Sequence, residues 1–305
     1  MIERSPFFDF VSYAAMILGL FLVLVPFWIT FVAGSLSLPE VTRVPIALWP
    51  SGHLIENIQT AWTRADLGPK MINSFIVASG VTIGKIVLAA LSAFSIVFFN
   101  YRARMVCFWL IFITLMLPLE VRIVPTYSIA ANALQPFQII LDTLGLTGLI
   151  EAVSGIRIGL EWNLLNSYTG LILPLVATAT GTFLYRQFFM TIPDELVEAS
   201  KMDGSGPLRF FWDVLLPLSR TNMLALATIM FVSSWNQYLW PLLITTDRAN
   251  YGTVVMQLKA LIPAQNGTPD WNVTMAGALI IMLPPLLVVA LMQRWFVRGL
   301  ISRDK

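Results

Sequence analysis

Lys85 is the only ionisable group in the run "NSFIVASGVTIGKIVLAALSAFSIVFF", Asn73 to Phe99. Three other places also carry polar chemistry in apolar surroundings. Glu120 and Arg122 follow Pro118 in "LPLEVRI". Two amides stand between two aromatic rings in "WNQY", Trp235 to Tyr238. Charge and glycine crowd the stretch "ELVEASKMDGSGPLRFFWDVLLP", Glu195 to Pro217. A cation at mid-bilayer costs about 2.5–3.5 kcal/mol on the mildest scale, so Lys85 faces either a substrate pathway or an ionic partner. Amides beside aromatic rings suit the hydroxyl groups of a polyol, and Asn236 equally suits a hydrogen bond between helices. Glu120 and Arg122 either pair with each other or sit among headgroups, and Arg122 is otherwise a candidate to face a pathway.

Enzyme chemistry finds little support. "GVTIGKI", Gly80 to Ile86, comes nearest to a phosphate loop, but its glycines are one residue too close and Ile86 stands where Ser or Thr is required. No GxSxG, HExxH or CxxC occurs. His53 and Cys107 are each the single residue of their type, which excludes a disulfide and leaves no set of metal ligands. We expect no catalytic residue and no metal site.

These residues must be held by membrane helices. With 57% hydrophobic residues, 12% charged residues and a mean hydropathy of +0.76, the chain needs lipid around it. A net charge of +2 without a basic run gives no reason to expect nucleic acid. A spanning helix takes about 20 apolar residues. Six segments qualify: Val11–Ala33, Ile72–Phe99, Met105–Pro125, Tyr168–Phe189, Thr221–Ile244 and Val273–Trp295. The first is too long for a signal-peptide core and lacks a strongly basic leader.

Basic residues set the orientation. Arg4, Arg102, Arg104, Arg186, Lys201, Arg209, Arg220, Arg294, Arg298, Arg303 and Lys305 fall on one side, together with both termini, and that side is expected to be cytoplasmic. On the other side, Ser35 to Met71 reads as a short cap with interfacial Trp49 and Trp62, and Thr246 to Asn272 as an ordinary loop. Between them, Thr126 to Ser167 is too charged to span and too apolar for a free linker. Phe137, Ile140, Leu141, Leu144 and Gly148 fall at helical spacing, and a second apolar pattern follows from Leu149 to Ile158. Two short helices on the outer surface are predicted.

The glycine-rich stretch reads as two short helices meeting at a turn. Pro193 and two acids open the first, and Gly204 stops it. Pro207 opens the second, where Leu208, Phe211, Trp212 and Leu215 make an apolar stripe opposite Arg209 and Asp213. Small residues Ala199, Ser200 and Gly204 admit a partner surface, whereas an amphipathic loop lying on headgroups explains the same pattern.

"EASKMDG", nine residues, then "VLLP" resembles the EAA loop of bacterial ABC importer permeases: Glu-Ala-Ala, three residues, Gly, nine residues, Ile, any residue, Leu-Pro. Ser200 replaces the second Ala and Val214 the Ile. Over nearly the whole chain, "NSFIVASGVTIGK", "FWLIFITLMLPLEVRI", "FLYRQFFMTIPDELVEA", "WNQYLWPLL" and "MQRWFVRGL", in that order, are similar to the carbohydrate-uptake, maltose-permease-like importer permeases. Within these, they are most like the second permease subunits of sn-glycerol-3-phosphate importers. The segment from about 134 to 163 departs from that pattern as an external insertion.

This resemblance implies an all-α integral membrane protein with six transmembrane helices and a cytoplasmic coupling-helix loop, the type I ABC importer permease fold. It implies residues 1–71 as first helix and external segment, 72–296 as permease core with a coupling loop at 190–218, and 297–305 as cytoplasmic tail. It assigns coupling to Glu198, Ala199, Ser200, Asp203 and Gly204, with Leu216 and Pro217 ending the segment. The implied partners are a second permease forming a heterodimer, two cytoplasmic ATPase subunits carrying ATP and Mg, an external substrate-binding protein and membrane lipid. This chain itself is expected to bind no cofactor. Alternating access in a bacterial inner membrane follows, with sn-glycerol-3-phosphate or its diesters as substrate. A neutral sugar or oligosaccharide is the alternative within the class, and a self-contained secondary transporter the rival outside it. Pathway candidates are Lys85, Arg122, Trp235, Asn236, Gln237 and Tyr238.

Overall fold

The computed structural model describes residues 6–45, 47–156, 159–262 and 269–301, so Arg4, Arg157, Arg303 and Lys305 lie outside the described residues. Every regular element among them is helical. Two compact units form, one from Met1–Met71 with Val254–Pro284, the other from Ile72–Thr253 with Pro285–Lys305.

In the first unit, α1 (Pro6–Ser35) is apolar on all sides, and its residues from Phe7 to Leu24 are almost all exposed, as a helix solvated by lipid should be. After it, α2 (Leu54–Arg64) is anchored by Asn57. The buried Asn57 amide donates to the carbonyls of Gly34 (2.9 Å) and Leu36 (2.8 Å), and its oxygen accepts from Asn272 Nδ2 at 2.9 Å. Arg64 pairs with Asp270 at 2.5 Å.

The long helix α3 (Leu67–Phe98) continues into the second unit. There the third expected span is interrupted. Helix α4 (Arg104–Met116) stops because Leu117 precedes Pro118 and is held extended, and α5 (Leu119–Ala131) starts beyond it. Thus Glu120 and Arg122 occupy the first turn of a new helix. They do not pair: among the described residues neither has an ion-pair partner, and Glu120 is exposed.

The segment expected to be an external insertion forms α6 (Gln135–Thr143) and α7 (Leu146–Ser154), bent by 78° at Gly145, whose φ is +71°. The prediction of two helices holds, but the division falls at Gly145, earlier than Gly148. Fourth in the spanning order, α8 (Tyr168–Ile172) runs into a 3-10 turn, Leu173–Leu175, and bends by 50° into α9 (Ala179–Phe189), where Thr178 caps Gly181.

After the glycine-rich stretch, built from α10 (Asp194–Met202) and α11 (Pro207–Leu218), comes α12 (Arg220–Trp235). The fifth expected span also breaks. Pro241 has no N–H for the carbonyl four residues earlier, and helix resumes only as α13 (Leu239–Ile244). The expected loop from Thr246 to Asn272 instead includes a helical turn, Arg248–Tyr251, and α14 (Val254–Ala260), whose Val254 and Met256 are buried. Last, α15 (Trp271–Ile301) begins in the first unit. Among the described residues α1, α3 and α15 are each long and apolar enough to cross a membrane alone, and counting the bent pairs α6/α7, α8/α9 and α11/α12 gives up to six; α6/α7, expected not to span, stands in that count in place of the expected third span.

Candidate functional site: a glycine turn and two half-buried cations

Pro193 stands extended before α10, and Asp194 and Glu195 in the first turn face the partial positive charge of the helix N-terminus. At the other end the chain closes in a Schellman turn. The Ser205 amide donates to the Ser200 carbonyl and the Gly204 amide to the Lys201 carbonyl, both at 3.0 Å. Gly204 sits at φ +74°, a conformation glycine adopts without strain, and a Cβ there would meet nothing of this chain. Glu198, Ala199, Asp203 and Gly204 are exposed together around this turn. Ser200 is not among them. It is buried against its own chain, so it shapes the turn from inside and does not admit a partner surface.

Helix α11 opens on Pro207 and contains a π-helical turn, Phe211–Leu215, just before Pro217. Such turns mark irregular helices at functional places. Leu216 is half-buried and Pro217 exposed at its end, before a 75° bend into α12. The expected apolar stripe is only half right. Phe211 and Leu215 are buried and joined by Phe210, whereas Leu208 and Trp212 are 69% and 65% exposed. The π-turn rotates the face that points inward. Arg209 and Asp213 form the expected outer pair at 3.2 Å.

What the buried face touches escaped sequence reasoning. Phe210, Phe211 and Leu215 share one cluster with Ala89, Ala93 and Phe94 of α3, Tyr185 and Phe189 of α9, and Leu226 and Met230 of α12. Helix α11, which follows the turn, is therefore packed against α3, α9 and α12. The density of Phe in "FFN", "RQFF" and "RFFW" was the available signal.

Lys85, further along α3, is half-buried. The rotation of α3 is fixed by two glycines: a Cβ at Gly80 would lie 2.7 Å from Ile172 Cδ1, and one at Gly84 2.5 Å from Val176 Cγ1. This is a small-xxx-small contact, the legible meaning of "GVTIG". Val81, one turn before Lys85, and Ile123, next to Arg122 on α5, belong to one extended apolar cluster that also holds Leu171 and Trp240. The Nε of Arg122 is buried without a hydrogen-bond partner.

"WNQY" lies at the break between α12 and α13, not inside a continuous helix. Trp235 is buried and stacked on Phe231 (5.9 Å, 30°), so its ring is part of the packing. Asn236 is exposed, and Gln237 and Tyr238 are half-buried. A further polar node was missed. Asn73 Nδ2 donates to the carbonyls of Asn250 (2.8 Å) and Gly252 (3.0 Å), and its oxygen accepts from Tyr168 Oη at 2.6 Å. Among the described residues no group of three or more His, Cys, Asp or Glu is placed to hold a metal ion.

The family model described as "Binding-protein-dependent transport system inner membrane component" matches residues 85–302. The chain is similar to the sn-glycerol-3-phosphate transport system permease protein UgpE of Yersinia enterocolitica serotype O:8 / biotype 1B, with 45% identity over 311 residues covering 100% of both chains. Its likeness to the same permease of Escherichia coli O1:K1 / APEC is also 45% over full length. Among solved structures it resembles a chain of a bacterial ABC transporter involved in the import of the acidic polysaccharide alginate. That likeness has a TM-score of 0.67 over 97% of this chain and 99% of that one; at 19% identity it speaks for the fold alone. These matches leave no place for a secondary-transporter reading. The chain is an all-helical permease, not an enzyme, and belongs to the family of inner membrane components of binding-protein-dependent transport systems.

Proposed function

We propose that this chain is one of two permease subunits of an ATP-driven importer, forming half of a translocation pathway for sn-glycerol-3-phosphate or its diesters. The observation that carries this reading is the 45% identity over the whole of both chains to permeases of sn-glycerol-3-phosphate transport systems. In this reading a second permease completes the pathway, two cytoplasmic ATPase subunits hold ATP and Mg, and an external binding protein delivers substrate. Residues 72–296 carry the permease core, and both termini lie on the cytoplasmic side of a bacterial inner membrane.

The exposed turn at Glu198, Ala199, Asp203 and Gly204 is the proposed docking surface for the ATPase, with Ser200, Leu216 and Pro217 setting its shape. ATP acts on the pathway only through contacts that differ between the inward-open and outward-open states, and this turn is the proposed place where the chain meets them. On the pathway, Lys85 and Arg122 supply charge, and Asn236, Gln237 and Tyr238 supply hydrogen bonds at the helix break, with Trp235 holding that break in position. Purifying the tagged chain from its host membrane tests the assembly, and reconstituting what co-purifies tests the substrate. An ATPase and a second permease in the complex, with ATP-dependent uptake of labelled sn-glycerol-3-phosphate, are expected. A complex lacking an ATPase, or one that moves only a neutral sugar, overturns the reading.

A further inference from the structure

We propose that the hairpin of α6 and α7 is a re-entrant wedge whose apolar faces lie among the acyl chains of one membrane leaflet, the outer one in the orientation proposed above. Its partner is lipid, not a protein.

The root fixes where the hairpin begins and ends. Its two ends are clasped to each other: the Ala133 amide donates to the Trp162 carbonyl at 2.9 Å, the Leu164 amide to the Ala130 carbonyl at 2.9 Å, and Asn132 Nδ2 to the Leu160 carbonyl at 3.2 Å. The chain therefore leaves the root and returns to it, so α6 and α7 do not cross, although together they are apolar enough to be counted as a span. Each has nine residues, about 13.5 Å of helix against a hydrocarbon core of about 30 Å. The root stands at the start of the bent pair α8/α9, because the Leu164 carbonyl lies so close over Gly170 of α8 that no Cβ fits there. Trp162 is exposed beside it, a residue type favoured where membrane meets water.

The faces decide what covers the hairpin. Two short amphipathic helices in water close on their apolar sides. This hairpin is built the other way round. Asp142 Oδ1 accepts from Gln138 Nε2 (3.0 Å) and Thr147 Oγ1 (2.6 Å), and Gln138 Oε1 accepts from the Leu160 amide (2.9 Å). The hydroxyls of Thr143 and Ser154 donate to the carbonyls four residues earlier. No residue of α6 or α7 is buried, and Phe137, Ile140, Leu144, Leu149 and Val153 are 54–81% exposed. Polar groups satisfied within the chain and apolar side chains outside are what hydrocarbon requires and what water penalises. A binding protein that comes and goes would leave this surface in water between visits, whereas lipid covers it at all times. Glu151 falls on the opposite side of α7 from Leu149 and Val153, where headgroups and water reach it. The apolar face of such an element sinks about 5–10 Å below the headgroups.

The test uses the complex of this chain with its co-purifying subunits in lipid nanodiscs of phosphatidylethanolamine and phosphatidylglycerol. In a chain carrying Cys107→Ser, the variants Ile140→Cys, Leu149→Cys and Glu151→Cys are each labelled with a bimane fluorophore, and the complex without an introduced cysteine supplies the background. Lipids brominated near the ester end of the acyl chain should quench more than half of the emission at positions 140 and 149, and lipids brominated near the methyl end should quench less. Position 151 should emit as in water and keep most of its intensity. Phe137→Cys and Val153→Cys replace either apolar-face variant that does not assemble. The proposal is overturned if positions 140 and 149 are quenched no more than position 151. It is also overturned if the second permease shields them from lipid, or if they leave water only when the binding protein is added. Stronger quenching from the methyl end overturns it too, since that depth belongs to a true span. Quenching does not depend on which leaflet is entered, so the orientation fails separately, through labelling of Glu151→Cys from the wrong side, and leaves the wedge standing.

Discussion

The rings of Phe94 and Phe211 lie 4.9 Å apart, centroid to centroid, with 48° between their planes. One belongs to α3, the helix that carries Lys85; the other follows the turn at Gly204. Phe98 and Phe210 repeat the contact one step along, at 5.3 Å. Lys85 and Phe94 are nine residues apart on the same helix, about 13.5 Å along its axis. These ring contacts join α11 directly to the helix that bears the candidate pathway cation.

Phe211 is therefore expected to matter more for coupling than for assembly. Phe211→Leu keeps most of the volume and removes the ring contacts. Transport per ATP hydrolysed should fall several-fold while the complex still forms and basal hydrolysis persists. Phe211→Ala adds a cavity worth about 3–5 kcal/mol and should also lower the amount of complex. If Phe211→Leu leaves the ratio of transport to hydrolysis unchanged, the ring contact is scaffolding only.

At Gly204 the backbone and the partner surface make separable demands. The φ of +74° costs a side-chain-bearing residue about 1–2 kcal/mol, and Asn less than others. Open space around the missing Cβ means no clash within this chain. Gly204→Asn should leave the protein in the membrane at near wild-type level, and Gly204→Val should reduce it modestly. If the ATPase sits close over the turn, both variants should lose transport far beyond their loss of abundance. Transport that tracks abundance for both would show that Gly204 serves the turn alone.

How much of this was readable beforehand depended on the kind of signal. The two-helix turn was legible because Pro193, Gly204 and Pro207 are local backbone instructions. The apolar lengths of α1, α3 and α15 were legible because lipid demands long uniform runs. The breaks after α4 and α12 were not predicted, although Pro118 and Pro241 mark them, because proline is tolerated in membrane helices and hydropathy does not register a break. The facing of α11 was missed for another reason: a π-turn shifts the period, so the stripe through Leu208 and Trp212 points outward. Asn73 and Asn57 escaped notice because a buried amide is defined by distant carbonyls that no local pattern announces.

The seat of Gly84 on Val176 offers a test by repair. Gly84→Ala places a methyl group 2.5 Å from Val176 Cγ1, and the helices must part or the valine must move. Folded protein and transport should both decline. Val176→Ala removes Cγ1, the nearest carbon, and leaves only Cβ at 3.0 Å, so the double variant should recover part of the way toward wild type and show a favourable coupling of about 0.5–3 kcal/mol between the sites. Additive loss in a quantitative unfolding assay would mean that the close approach is not what the glycine provides.

The hairpin of α6 and α7 can be checked for both its side of the membrane and its bend. Asp142 Oδ1 accepts from Gln138 Nε2 at 3.0 Å and Thr147 Oγ1 at 2.6 Å, tying α6 to α7 across Gly145. Gln138 Oε1 also accepts from the Leu160 amide at 2.9 Å, which holds the returning chain against α6. Glu151, on α7, is exposed. In a chain whose cysteine at 107 is replaced by Ser, Glu151→Cys should react with a membrane-impermeant thiol reagent added from outside. Reaction only after the membrane is opened would place the hairpin on the cytoplasmic side and reverse the proposed topology between α5 and α8. Asp142→Ala removes the shared acceptor, so proteolysis within the hairpin in intact cells should quicken while transport by the remaining uncut protein continues. Transport lost without faster cleavage would instead give the hairpin a direct part in uptake, as expected of a contact with the delivering binding protein.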